Sequence, residues 1–197
     1  MNSPTLSPED ILVRAQETPN PQAIKFIMNQ AVKSEGRATF KSISECENMP
    51  LPRDLFQLAG VKQLYFFENT ITITHDSGVD ASEFEAQVIS IIKTRLPAHD
   101  CNFKATDELP TAKGKIDRSH LSPEVQQIED ILDRTIRPGL QADGGDVEIL
   151  EFKDNELKIL YQGACGGCPS SMMGTLDAIQ GILRHELNND YLVVYPV

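Results

Sequence analysis

The 197-residue sequence predicts an α+β fold: two small domains, each a small sheet packed with helices, joined by a flexible linker. Three observations predict it. Strand-type alternation and helical spacing are interleaved in both halves of the chain, which implies two mixed layers rather than an all-α or all-β architecture. Between the halves, residues 104–121 are polar, hold one Pro and one Gly, and follow neither period. The charge changes at the same place, since residues 122–197 carry 5 Lys+Arg against 13 Asp+Glu and residues 1–121 carry 13 against 16. The expected layout is a domain at 1–103, a linker at 104–121 and a domain at 122–197.

In the N-terminal domain, Ala23-Ile24-Lys25-Phe26-Ile27-Met28 and Ala38-Thr39-Phe40-Lys41-Ser42 read as strands. The first follows Thr18-Pro19-Asn20-Pro21, where residues preceding proline are driven away from helical geometry. Asp54 to Leu58 predicts a short helix ended by Gly60. Residues 61–67 and 70–74 alternate around Glu68-Asn69 as a hairpin, and Phe84, Val88, Ile91, Ile92 and Leu96 mark one face of a helix.

The C-terminal domain opens on Ser122-Pro123-Glu124, an N-cap with Pro at the first helical position, and Val125, Ile128, Ile131, Leu132 and Ile136 recur at helical spacing. Pro138-Gly139 is expected to stop that helix. Val147 and Ile149, then Leu157, Ile159 and Tyr161, alternate on either side of a turn at residues 153–156. Met172, Leu176, Ile179, Leu183 and Leu187 give the inner face of a helix over 170–187, and residues 191–197 read as a last strand.

The hydrophobic fraction of 40% and charged fraction of 24% are those of an ordinary globular protein. No stretch approaches the ~18 consecutive apolar residues of a membrane-spanning helix, so no membrane partner is expected. Residues 1–8 lack a basic start and an apolar run, and Glu9, Asp10 and Glu17 are unlike a transit peptide. The expected location is cytoplasmic, or the mitochondrial matrix if the chain is a processed organellar form. The net charge of −11 argues against nucleic acid, because phosphate binding needs a basic face.

Four cysteines remain, Cys46, Cys101, Cys165 and Cys168. In a reducing compartment a disulfide framework is not expected, so the close pair reads as metal-binding or redox-active. Cys165-Gly166-Gly167-Cys168-Pro169-Ser170-Ser171 falls between a predicted strand and a predicted helix. Its two Gly let the backbone fold tightly, converge two thiols on one centre and bring amide N–H groups toward the sulfurs. Cys168 stands beside a helix N-terminus, whose partial positive charge favours thiolate.

Spacing alone leaves thioredoxin-type redox chemistry, half of a zinc site and half of an iron–sulfur site open. Zinc and the common clusters usually take four ligands, and the pair provides two. Cys46 and Cys101, isolated in the other domain, read as small buried hydrophobes. Sharing across a two-fold axis between identical chains is then the natural route to four thiolates. Against the redox reading, the predicted order of elements does not match the βαβ context of thioredoxin-like motifs.

Residues 137–146 (Arg-Pro-Gly-Leu-Gln-Ala-Asp-Gly-Gly-Asp), 163–171 (Gly-Ala-Cys-Gly-Gly-Cys-Pro-Ser-Ser) and Thr175-Leu176 resemble the C-terminal domain of NifU-like (Nfu-type) iron–sulfur proteins. Residues 17–21, 25–26, 52–56, 60–61 and 71–74 resemble the N-terminal domain of many members. Residues 188–192 depart from the family's Pro-Glu-Val-like segment. The resemblance implies a non-enzymatic carrier in which Cys165 and Cys168 of two subunits bridge a 4Fe–4S cluster. That cluster would be assembled in place or received from an upstream cluster-assembly scaffold, then delivered to apo iron–sulfur proteins. The N-terminal domain would recognise partners. A cluster held by two thiolates per chain leaves by thiolate exchange more readily than one enclosed by a single chain.

Asp143-Gly144-Gly145-Asp146 falls short of the 6–8 oxygens of a calcium loop and reads as a tight turn beside the cysteine loop. His75, His99, His120 and His185 lack ligand spacing. Of Met172 and Met173, one is expected in the core and the other over the cluster.

Overall fold

The computed structural model describes residues 7–76, 78, 80–104, 111–112, 115–116, 121–166 and 169–197, with 111–112, 115–116 and 169–173 described by backbone alone. The chain divides into two compact units, Met1–Ile116 and Asp117–Val197, each mixing helices with a sheet. Much of the expected linker lies outside the described residues. Within it, β6 (Thr111–Ala112) and β7 (Lys115–Ile116) pair antiparallel.

In the first unit, β1 (Val13–Glu17), β2 (Ala23–Met28), β3 (Arg37–Phe40), β4 (Val61–Phe67) and β5 (Thr70–His75) form an antiparallel sheet ordered β1-β2-β5-β4-β3. Ile24 and Leu64 flank Ile73, while Phe26 and Phe66 flank Ile71. Alternation puts these residues on one face, where α1 (Pro50–Phe56) and α2 (Ala81–Arg95) cover them with Leu51, Leu55, Phe84, Val88 and Ile92. Asp80 caps α2 by accepting from the Glu83 amide at 2.9 Å. Helix α1 starts four residues before the expected Asp54. Pro50 and Pro52 lie in its first turn, where no amide bond is lost.

The segment after α2 folds back on the unit. His99 Nε2 meets the Val32 carbonyl at 2.8 Å, and Lys33 Nζ donates to the Phe103 carbonyl at 2.7 Å while lying over the Phe103 ring. Burial holds the His99 imidazole below its ordinary pKa, outweighing the bond to Val32.

The second unit comprises α3 (Pro123–Thr135), α4 (Arg137–Ala142), β8 (Gly145–Lys153), β9 (Glu156–Gly163), α5 (Pro169–Leu187) and β10 (Val193–Pro196). Ser122 caps α3 through the Val125 amide at 3.3 Å. Ile128, Ile131, Leu132, Val147, Leu157, Ile159, Ile179 and Leu183 form the core. Helix α3 ends at Thr135 with Ile136 as its cap, just ahead of Pro138-Gly139 as expected, but the chain restarts at once as α4, with Pro138 in the first turn.

The sheet order is β10-β9-β8, with β8 antiparallel and β10 parallel to β9. A bulge between Ile149 and Glu151 leaves Leu150 exposed on the outer strand. On the other edge, the Val193 and Val197 amides bond to Asn155 and Ile159 carbonyls. The outward Val194 amide is taken by Gln180 Oε1 at 3.0 Å, and Pro196 has no amide hydrogen. No helix among the described residues is long and apolar enough to cross a membrane.

Candidate metal centre

Two sequence segments meet at one end of the second sheet. Helix α4 ends at Ala142, the Asp143 amide bonds back to the Gly139 and Leu140 carbonyls, and Gly144 adopts φ 82°, a left-handed conformation that favours glycine. This turn leads into β8, where Gly145 stands opposite Gly163. The Ala164 amide then donates to the Gly144 carbonyl at 3.1 Å, tying the start of the cysteine loop to the Asp-Gly-Gly-Asp turn. The expected tight turn beside the loop is therefore present.

Cys165 is buried, at 7% exposure, and belongs to the core cluster of this unit. A side chain at Gly145 would fall on the Cys165 Sγ and lie 2.9 Å from its amide nitrogen. Glycine is required there for close approach of the loop, a different reason from that at Gly144. The Gly166 amide donates to the Gly163 carbonyl at 3.1 Å and the Ala164 amide to Gly144, so both are engaged by backbone carbonyls. Helix α5 begins at Pro169, immediately after Cys168 in sequence. Gly167 and Cys168 lie outside the described residues, as do the side chains of Met172 and Met173. The Tyr161 hydroxyl is pushed up to about 12, first by burial and then by the neighbouring Cys165.

Arg137 holds this end of the unit together, a role that the sequence reading missed. Its side chain is 4% exposed and its Nη1 pairs with Glu129 at 2.7 Å and with Asp133. Nε meets Asp146 Oδ1 at 3.3 Å, and Nε and Nη2 donate to the Val147 carbonyl at 3.3 and 3.1 Å. Desolvation works against the guanidinium's charge, but Glu129 and Asp146 outweigh it and raise its pKa. Asp146 is itself buried, accepting from the Val147 amide at 2.7 Å and from Gln141 Nε2 at 3.2 Å. Its carboxylate is committed to this network, which agrees with reading the motif as a turn rather than a cation loop. An arginine four residues after an i, i+4 pair of acids (Glu129, Asp133) was the available signal.

Cys46 is buried in the first unit, its thiol pushed up to about 11 by burial and then by Glu45, and its Sγ lies 3.5 Å from the Ile43 carbonyl. Cys101, half-buried in the same unit, has its carbonyl bonded to Ser34. His75 and His99 are packed in that unit, His185 is exposed, and His120 lies outside the described residues. Among the described residues no three His, Cys, Asp or Glu side chains converge to hold a metal ion.

Residues 128–194 match the family model described as NifU-like domain, and residues 13–99 match that described as scaffold protein Nfu/NifU N terminal. A Homo sapiens protein named "NFU1 iron-sulfur cluster scaffold homolog, mitochondrial" is 30% identical over 179 residues, 88% of this chain and 67% of that protein. The chain belongs to the NifU-like, Nfu-type family.

A Drosophila yakuba relative of the same name is 28% identical over 93% of this Nfu-type chain and 64% of its own length. The chain thus spans a little under two thirds of that relative. The solution structure of a NifU-like protein from Saccharomyces cerevisiae gives a TM-score of 0.44 at 23% identity, over 55% of this chain and 92% of that one. The two family models fall one in each compact unit.

Proposed function

We propose that this Nfu-type chain is an iron–sulfur cluster scaffold or carrier that holds its cargo and passes it to apo iron–sulfur proteins. Cys165 and Cys168 are the ligands. The cargo is a 4Fe–4S cluster bridging two copies of the chain, because each contributes two thiolates and the cluster takes four. The observation that carries this reading is the seating of the Cys165 loop on the Asp143–Asp146 turn, inside the segment matched by the NifU-like model. The names of the iron–sulfur scaffold relatives support the cargo.

The donor set fits such a cargo. One thiol stands in a Gly-rich loop, and the second residue directly precedes a long helix. Two ligands per chain favour handover, since an acceptor thiolate replaces one bond at a time. Residues 1–103 form a partner-recognition domain that residues 104–121 join to the cluster domain. The relatives are named as mitochondrial proteins, which favours the organellar location over the cytoplasmic one.

Anaerobic reconstitution tests the proposal. Iron and sulfide analysis with native mass spectrometry is expected to give two chains with four irons and four sulfides. A monomer holding a complete cluster, with no small thiol as ligand, would overturn the bridging arrangement.

A thiol–disulfide oxidoreductase stands as the second reading because of one observation. The parallel pairing of β10 with β9 makes β9–α5–β10 a βαβ unit with the cysteine loop at its strand-to-helix junction, so the objection from element order does not hold. Metal-free protein that reduces a disulfide substrate catalytically would favour it. Zinc in place of iron after anaerobic purification would favour an interaction module instead.

A further inference from the structure

We propose that Gly145 is a positioning residue for Cys165: the cluster-free chain stows this thiol in the space that a side chain at 145 would fill, and ligation requires the thiol to leave it. The inference that ligation draws it out rests on the proposed function. The stowed position rests on the geometry alone.

Cys165 packs with Val147, Ile159 and Tyr161 in the core of its unit, whereas a ligand shared between two chains has to reach the surface. Its Sγ lies within clashing distance of the place that a Cβ on Gly145 would take, and the surrounding atoms are close, with the Cys165 nitrogen at 2.9 Å and its Cβ at 3.0 Å from that position. The seat has fixed walls. Gly145 is held in register with Gly163, and the Ala164 amide is bonded to the Gly144 carbonyl. Movement therefore has to come from the Cys165 side chain, while β8 stays in place. Any residue larger than glycine at 145 removes the stowed state, because backbone as well as sulfur stands in the way of its Cβ.

Site-resolved alkylation of the cluster-free full-length chain by iodoacetamide, read by peptide mass spectrometry, tests this. In the native wild-type chain Cys165 is expected to react at least about tenfold more slowly than in the same chain unfolded in urea, the factor for a preference of about 1.4 kcal/mol for the stowed state. In Gly145→Ala that protection is expected to fall several-fold. Gly139→Ala, at a position with open space around an added Cβ, is expected to leave it unchanged.

Wild-type Cys165 reacting at the unfolded rate would overturn the proposal, as would full protection in a folded Gly145→Ala chain. If Gly145→Ala does not fold by circular dichroism, the wild-type comparison decides. Protected Cys165 in a protein that never binds iron would remove the proposed function and leave the stowed thiol standing.

Discussion

Replacing Arg137 by methionine keeps much of the side-chain volume and removes the charge from the end of the second unit. Two of its partners, Glu129 and Asp146, have side chains only 8% and 1% exposed, and Asp133 is 46% exposed. Breaking a buried pair from one side costs about 3–5 kcal/mol, because the remaining carboxylate stays desolvated without its cation. Here two carboxylates lose the same cation and the Val147 carbonyl loses two donors, so the upper part of that range applies. A unit of about 80 residues is stable by roughly 4–12 kcal/mol in total. The expected result in a urea titration followed by circular dichroism is loss of roughly a third or more of the second unit's stability. In a thermal melt its transition falls by more than ~12 °C, at about 4–8 °C per kcal/mol. Arg137→Lys keeps the charge but not the planar fork and is expected between the two. Adding Glu129→Gln to Arg137→Met should recover part of the loss. A methionine variant within ~1 kcal/mol of wild type would refute the view that this guanidinium fastens α3 to β8.

Cys165→Ser and Cys168→Ser are each expected to lose the cluster with the fold retained, read by iron content and circular dichroism, and full iron in either would refute the ligand assignment. Cys46→Ser and Cys101→Ser should bind cluster normally; loss of iron in one of them would place ligands in the first unit. His99 predicts a pH dependence. Its folded pKa lies below the ordinary value near 6.5, so the unfolded chain binds the extra proton first, and stability falls as pH drops from about 6.5 toward the folded pKa. The urea midpoint of the first unit should therefore drop less between pH 7 and 5 in His99→Gln than in wild type, and equal drops would refute the assignment. Added chelator should return the reconstituted protein to monomers on native mass spectrometry, whereas a dimer that survives iron removal would mean that the surfaces associate without the cargo.

Elements with strong local periodicity were legible in the sequence. The capped helix α3, the β8–β9 hairpin around Asp154-Asn155 and the β4–β5 hairpin follow from spacing and turn chemistry, with Asp154 and Asn155 at positive φ as a tight hairpin turn requires. What escaped depends on partners distant in sequence. Strand β1 (Val-Arg-Ala-Gln-Glu) has a weak pattern of its own and is fixed by pairing with β2. The break at Ile136 was read as a stop because Pro-Gly usually ends a helix, and only the structure reveals that α4 restarts there. Glu129 lies beside the apolar stripe of α3 and has no local signal for burial, yet it is buried because Arg137 meets it. At the candidate centre, Cys165 and Cys168 stand out in the sequence by their spacing. The reason for Gly145 was not, since it lies in a contact across the sheet end rather than in any local turn.

The edges of the second sheet bear on how two copies can meet. On β10 the outward donors are removed, one by Gln180 and the other by Pro196, and on β8 the Val147 carbonyl is taken by Arg137 beside a bulge. Such edges offer poor templates for an added strand, the contact through which chains join irreversibly into extended sheets. In the proposed cluster-bridged pair, two copies would thereby be kept from adhering through their backbones, and the lifetime of the pair would be left to the iron–sulfur bonds.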